Sequence, residues 1–235
     1  MQTLDLLKRT NKILFFGGAG TSTESGIPDF RSSGGIYSKA PEEWLSSTYL
    51  YHHSQEFYDF YKSTMLYPYA RPNAGHEILS KWEDEDRLLG VITQNIDGLH
   101  QRAGSKNVVE LHGSVQRNYC DLCGQKYSLE DILSQPGIPY CSCTGMIRPD
   151  VVLYGEMLDE DVIQRAIELL SRAELLIVGG TSLVVYPAAG MLQYFTGKDI
   201  IMINKGSTSY DKRSTLVLRN GFAQDMAYLD KQIRD

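Results

Sequence analysis

Positive charge is scarce in this chain of 235 residues: 23 lysines and arginines face 29 acidic residues, giving a formal net charge of −6. No basic cluster offsets that balance, which argues against a general nucleic-acid binder, so no direct nucleic-acid partner is expected. Long apolar runs are missing too. No stretch reaches membrane-spanning length and none resembles a signal peptide, so the expectation is a cytoplasmic protein with no membrane partner. Repeats and low-complexity segments are absent. The length suits one large domain, or one domain carrying a small insertion.

One further absence is more specific. The stretch GGAGTSTESGIPDFR, residues 17–31, follows the short apolar run Ile13-Leu14-Phe15-Phe16, which reads as a buried strand. Gly18 and Gly20 let the backbone turn sharply and approach a ligand, and Thr21-Ser22-Thr23 offers caps for a short helix. Strand, glycine-rich turn and helix N-terminus together make a phosphate cradle. That pattern alone is weak. A fold built for hydride transfer needs a third glycine, where this chain has Thr23, and an acid about 20 residues on at the end of a second strand. Here the chain instead enters a polar loop with Asp29, Phe30 and Arg31. This suggests a nucleotide bound to be cut, not to exchange hydride.

Past that loop, aromatic residues crowd residues 37–72, with Phe57, Phe60 and Tyr61 at helical spacing. The simplest reading is a small helical module with its own core, though some rings can line a cleft. Residues 2–10 read as an amphipathic helix and 73–85 as another. Apolar strands follow at Gly90-Val91-Ile92-Thr93, Val108-Val109-Glu110-Leu111, Val151-Val152-Leu153, Leu175-Leu176-Ile177-Val178, Ile200-Ile201-Met202-Ile203 and Leu216-Val217-Leu218. Helices are expected over 161–172, after Pro187 and at the C-terminal end. Strands alternating with helices predict an α/β fold with a doubly wound, Rossmann-like parallel sheet, whose ligands bind at the C-terminal strand ends.

The only cysteines are Cys120-x-x-Cys123 and Cys141-x-Cys143, 17 residues apart. They nearly match a four-thiolate zinc pattern, with the second pair one residue tight. Such a site is closed and structural. Disulfides, disfavoured in a reducing cytosol, and four unrelated thiols are the other readings. Asn95 and Asp97 follow a strand two residues apart, so both side chains can enter one pocket. His112 ends a neighbouring strand, and imidazole suits a general base near neutral pH. A histidine at a strand end is also an ordinary structural residue, and His76 and His100 are weaker candidates still.

GAGTSTESGIPDFR, TQNIDGLHQRAG, ELHGS, the paired cysteines, RPDVVLYGE, GGTSLVVYPAAG and INK occur here in one order. Over nearly its whole length the chain resembles the sirtuins, NAD-dependent protein lysine deacylases, and in particular the compact bacterial type. The resemblance implies a Rossmann-like large domain over about 1–34, 73–116 and 148–235. It also implies a small lobe made of a helical module, about 35–72, and a zinc module, about 117–147. It implies NAD as a consumed co-substrate and one structural zinc on Cys120, Cys123, Cys141 and Cys143.

By match to the family's motifs, Gly18, Ala19, Gly20, Thr23, Phe30 and Arg31 cover the cofactor. Gln94, Asn95, Ile96 and Asp97 shape the nicotinamide and ribose site, and His112 is the base. Gly180, Thr181, Ser182, Asn204 and Lys205 hold the adenosine half, with Phe222 near the adenine. Val152, Tyr154, Gly155 and Glu156 match the strand that takes the acetyl-lysine protein or peptide. The implied activity is transfer of acetyl from lysine to ADP-ribose, with release of nicotinamide. ADP-ribosyl transfer, NAD hydrolysis and non-catalytic NAD sensing are the alternatives, and a monomer is plausible. Sirtuins that remove succinyl or malonyl groups carry Tyr-x-x-Arg in the helical module; the matching positions here are Tyr58 and Tyr61.

Overall fold

The computed structural model describes residues 2–234. Its strands are β1 Ile13–Gly17, β2 Leu88–Thr93, β3 Val108–Glu110, β4 Gly113–Cys120, β5 Lys126–Ser128, β6 Ile147–Val151, β7 Leu175–Gly179, β8 Asp199–Ile203 and β9 Leu216–Leu218. Six of them form one parallel sheet in the order β3-β2-β1-β7-β8-β9. The winding changes direction between β1 and β7, the kind of position at whose C-terminal strand ends open α/β sheets bind ligands.

Burial of both faces explains the unbroken apolar runs. Alternate residues serve opposite sides: Ile13 and Phe15 of β1 join one core with Leu175 and Ile177 of β7, while Leu14, Phe16, Leu176 and Val178 join the other. Helices α1 Gln2–Arg9, α4 Ala74–Asp84 and α8 Phe222–Arg234 cover the first face through Leu7, Leu79, Trp82, Met226 and Leu229. Helix α7 Glu160–Arg172 and a 3₁₀ segment, Ala188–Tyr194, cover the second. Asn73 caps α4, accepting from Gly75 N–H at 3.0 Å, while its own N–H donates to His76 Nδ1 at 3.2 Å. The Asn73 amide also donates to Thr21 O at 2.8 Å and so ties α4 to the glycine-rich loop.

The small lobe contains α2 Ser47–His52, α3 Ser54–Phe60, the short α6 Leu129–Ser134 and an antiparallel sheet in the order β5-β4-β6. Helix α3 runs on into a wider π-helical turn, Tyr61–Met65. A four-residue helix, α5 Leu99–Arg102, follows the loop after β2. Its N-terminal Leu99 N–H donates to Asp97 Oδ1 at 2.9 Å.

Four expectations need correction. The strand near residues 151–153 is Ile147–Val151, and it lies in the antiparallel sheet, not the parallel one. Its polar middle, Arg148-Pro149-Asp150, hid it, and Val152 N–H already bonds to His112 O at 3.0 Å. Two 3₁₀ turns, Ala19–Thr21 and Thr23–Ser25, replace the helix after β1, and neither has a side-chain cap. The segment after Pro187 is likewise 3₁₀. The core of the helical module is not its own alone: Phe57, Tyr58 and Tyr61 cluster with Ile36, Leu45 and Leu50, but also with Val115, Leu129, Val151 and Leu153. Tyr58 Oη also donates to Ile147 O at 2.5 Å.

Candidate active site

A cleft of about 800 Å³ opens at the C-terminal ends of β1, β2 and β7 and runs beneath the small lobe. Every residue matched to the cofactor, base and peptide motifs borders it. Gly18, Ala19, Gly20, Thr23, Phe30 and Arg31 come from the loop after β1, and Gln94, Asn95, Ile96 and Asp97 from the loop after β2. His112 stands between β3 and β4, two residues beyond the end of β3, and Val152, Tyr154, Gly155 and Glu156 follow β6. Gly180, Thr181 and Ser182 follow β7, Asn204 and Lys205 follow β8, and Phe222 begins α8.

The two glycine-rich turns meet backbone to backbone. Gly20 N–H donates to Gly180 O at 2.8 Å, and a Cβ on Gly20 would come within 2.7 Å of the Gly180 Cα. Gly180 itself has φ 59°, the left-handed region that glycine adopts freely. The same contact consumes amide protons: Gly18 N–H donates to Gly179 O at 3.1 Å. The phosphate cradle expected from a helix N-terminus is therefore not built that way here.

Asn95 and Asp97 do share a pocket, and a residue the sequence did not single out joins them. Ser22 Oγ donates to Asp97 Oδ2 at 2.7 Å and accepts from Asn95 Nδ2 at 3.1 Å. The same Asn95 amide donates to Thr21 Oγ1 at 3.0 Å. With Leu99 N–H on Oδ1, both Asp97 oxygens accept, which suits the carboxylate. Desolvation nonetheless raises the Asp97 pKa above its ordinary value, against the lowering effect of those two donors. Read alone, Ser22 looked like a helix cap; nothing in its spacing pointed 75 residues ahead.

His112 is oriented by the backbone. Its Nδ1 lies 2.9 Å from Gln94 O, and a carbonyl only accepts, so Nδ1 carries the proton and Nε2 keeps a free lone pair. Desolvation lowers the His112 pKa, while the bond to Gln94 works the other way. The ring is thus neutral and basic at pH 7. Gln94 is held in turn by its Nε2 bond to Thr181 Oγ1 at 3.0 Å.

Other candidates are differently employed. The Glu156 carboxylate takes Arg148 in a two-point pair at 2.8 and 3.0 Å and accepts Leu153 N–H at 2.9 Å, so it braces the turn after β6. The Asn204 carbonyl accepts from Arg219 at 2.6 Å, which fixes the loop after β8. Tyr61, a member of the aromatic cluster, borders the cleft, but Tyr58 does not. The π-helical turn that begins at Tyr61 has no counterpart in the hydrophobic period. His76 and His100 lie outside the cleft, ring against ring at 4.7 Å between centroids.

The four cysteine sulfurs lie within 4.8 Å of one another, with Cys120–Cys143 at 3.5 Å and Cys123–Cys141 at 3.6 Å. Disulfide sulfurs would be about 2.05 Å apart. A tetrahedron of thiolates at about 2.3 Å from a metal has edges of roughly 3.8 Å, so the four are positioned to hold a zinc ion. The tight Cys141-x-Cys143 pair reaches because Thr144 takes φ 71° and closes the turn, with its N–H on Cys141 O at 2.9 Å.

The Sir2 family model matches residues 18–187. A Clostridium acetobutylicum protein named NAD-dependent protein deacetylase is 50% identical over 227 residues, 93% of each chain. A solved Sir2 structure with a deacetylated p53 peptide and 3'-O-acetyl ADP-ribose is 41% identical, with a TM-score of 0.91 over 98% of this chain and 97% of that one. Another, with p53 peptide and NAD⁺, is 41% identical with a TM-score of 0.87 over the same shares. Sequence, fold and cleft agree over nearly the full length, and the chain belongs to the Sir2 family.

Proposed function

We infer that this protein is an NAD-dependent protein lysine deacetylase that moves acetyl from lysine to ADP-ribose and releases nicotinamide. The observation that carries this reading is His112: a base with its tautomer fixed by Gln94, facing a cleft bordered by both the glycine-rich loop and the Val152–Gly155 segment. NAD supplies a ribose carbon whose bond to nicotinamide breaks as the acyl oxygen takes its place. The cleft is large enough for a dinucleotide.

His112 Nε2 takes the proton of a ribose hydroxyl, so that this oxygen can attack the transferred acyl carbon. Asp97 and the Ile96 backbone hold the nicotinamide amide, with Asp97 pinned by Ser22 and Leu99. Asn95, its amide protons engaged by Thr21 and Ser22, orients the ribose side. Gly180, Thr181, Ser182, Asn204 and Lys205 take the adenosine half, and Phe222 the adenine end. Val152, Tyr154 and Gly155 take the peptide and the lysine stem, which aligns the weakly nucleophilic amide oxygen.

The working division keeps 1–34, 73–116 and 148–235 as the large domain, with 35–72 and 117–147 as the small lobe. Tyr61 of the helical module and Leu129 of the zinc module lie in one core, which supports a single lobe, and Val115 and Val151 extend that core into the large domain. Zinc on Cys120, Cys123, Cys141 and Cys143 is structural, because four thiolates leave no position for water. Four reduced thiols also support a cytoplasmic location, and no described helix is long and apolar enough to cross a membrane.

Mass spectrometry of an acetyl-lysine peptide, with and without NAD, tests the reading. The expected result is free lysine, nicotinamide and O-acetyl-ADP-ribose formed one-to-one. Acetate release without NAD consumption overturns it, as does NAD loss with the peptide untouched.

A further inference from the structure

Asn73 uses every polar atom it has. Its Oδ1 caps α4 by accepting from Gly75 N–H, its own N–H donates to His76 Nδ1, and its carbonyl accepts from His76 and Glu77 N–H at 3.0 and 3.2 Å. The amide nitrogen serves a different element. It donates to Thr21 O at 2.8 Å and to Ser25 Oγ at 3.0 Å, 52 and 48 residues back along the chain. A donor to the oxygen and acceptors for the nitrogen fix which way the amide faces. Capping a helix needs only the oxygen. The two bonds of the nitrogen call for another reason.

Those bonds land directly behind the residues assigned to the ribose and nicotinamide. Thr21 Oγ1 accepts from Asn95 Nδ2 at 3.0 Å, and Ser22 Oγ accepts from the same nitrogen at 3.1 Å while donating to Asp97 Oδ2. Both Asn95 amide protons are thereby spent, so its Oδ1 is the side-chain atom left for a ligand. Thr21 and Ser22 are buried, and Thr21 is turned by two bonds to Gly18 O, from its N–H at 2.9 Å and its hydroxyl at 2.8 Å. The loop has other supports on either side. Gly20 N–H rests on Gly180 O, and Glu24 Oε2 accepts from Ala223 N–H at 2.8 Å in the first turn of α8. These grip residues 20 and 24, and the Asn73 amide takes the carbonyl of Thr21 between them.

We infer that Asn73 is a positioning residue for the reaction: its amide nitrogen, acting through Thr21, sets where the Asn95 side chain meets the ribose. Without that donor the Thr21 carbonyl must find another partner, Thr21 Oγ1 moves with its own backbone, and Asn95 follows the hydroxyl it donates to. One side chain thus serves α4 through its oxygen and the site through its nitrogen. The inference rests on the function proposed above.

Asn73→Asp separates the two roles, because aspartate caps a helix as well as asparagine does and its carboxylate donates nothing. Asn73→Ala loses both. Steady-state kinetics at varied NAD and at varied acetyl-lysine peptide, beside thermal melting, tell them apart. Asn73→Asp should melt within about 2 °C of wild type, whereas Asn73→Ala, without its cap, should melt about 2–4 °C lower. Both should lose about 10-fold in kcat/KM for NAD, short of the roughly 10²-fold that a misplacement of about 1 Å can cost. The KM for peptide should stay within about 2-fold of wild type, since the 152–155 segment is untouched. Alanine carries no charge, so a loss common to both variants assigns the effect to the missing donor. Adding Asn73→Asp to Thr21→Val should lower activity no further than Thr21→Val alone, because both act on one contact. Full NAD efficiency in folded Asn73→Asp, with only Asn73→Ala impaired, makes Asn73 a cap alone and overturns the inference. Losses that multiply in the double variant overturn it too. Either result leaves the deacetylase reading intact, whereas a wild-type protein that consumes no NAD with the peptide overturns both.

Discussion

At the scale of single residues, the proposed reaction rests on His112, and Ser22 ties Asn95 to Asp97 beside it. Replacing His112 with alanine should lower turnover by about 10²–10⁴-fold, the range for a lost general base, with the fold retained because the ring is only half-buried between strands. Circular dichroism beside a deacetylation assay checks both statements; near-normal turnover would remove His112 from the mechanism. The pH profile carries a sign. Desolvation lowers the His112 pKa, so the neutral ring survives below pH 6.5 and the acid limb of kcat/KM should fall under that value, not at it. Ser22 shows what single-residue reasoning misses. Its chemistry comes from Asn95 and Asp97, which only the folded chain brings to it.

At the scale of elements, the π-helical extension of α3 brings Tyr61 and Met65 to the cleft. Tyr61, the position that the resemblance matches to an arginine expected in succinyl-removing sirtuins, borders the cleft, and the Tyr58 hydroxyl is spent on Ile147 O. Among the described residues, Arg31 and Lys205 are the lysines and arginines along the cleft; Arg31 sits by Glu42, and Lys205 follows β8. A buried carboxylate without a partner costs about 3 kcal/mol, so acetyl should exceed succinyl by roughly 100-fold in kcat/KM on matched peptides. Equal rates would show that another cation reaches the pocket. The zinc module makes the second prediction at this scale. Metal removal by a chelator should loosen the β4–β6 sheet and lower the melting temperature, with activity lost as a consequence and restored by added zinc. A preparation fully stable without metal would contradict it. The elements most legible in sequence were the parallel strands, since runs such as Leu175–Val178 are apolar on both faces. Strand β6 escaped because Arg148 and Asp150 interrupt its pattern, and the pairing of Arg148 with Glu156 that permits its burial lies eight residues away.

At the scale of the whole molecule, two histidines tie stability to pH. His76 and His100 are buried against each other and against Phe15 and Phe222; burial lowers the His76 pKa to about 4 and that of His100 well below its ordinary value. In the unfolded chain both titrate near pH 6.5. Between pH 6.5 and about 4 the unfolded state binds protons that the folded state refuses. The stabilisation is therefore complete above pH 6.5 and is lost as the pH falls through that window. Melting temperatures measured from pH 8 to 5 should drop steeply below 6.5, and His100→Asn should flatten the slope; a level wild-type profile would refute the assignment. The small lobe's common core has a different consequence, in time. Phe57, Tyr58 and Tyr61 leave the ribosome about 90 residues before Val151 and Leu153, at about 5–20 residues per second, and until then their cover is incomplete. β1 likewise waits for β7, its partner from Ile13↔Leu175 to Gly17↔Gly179. Synthesis thus presents a half-made aromatic surface for several seconds, the interval in which a chaperone would find this chain.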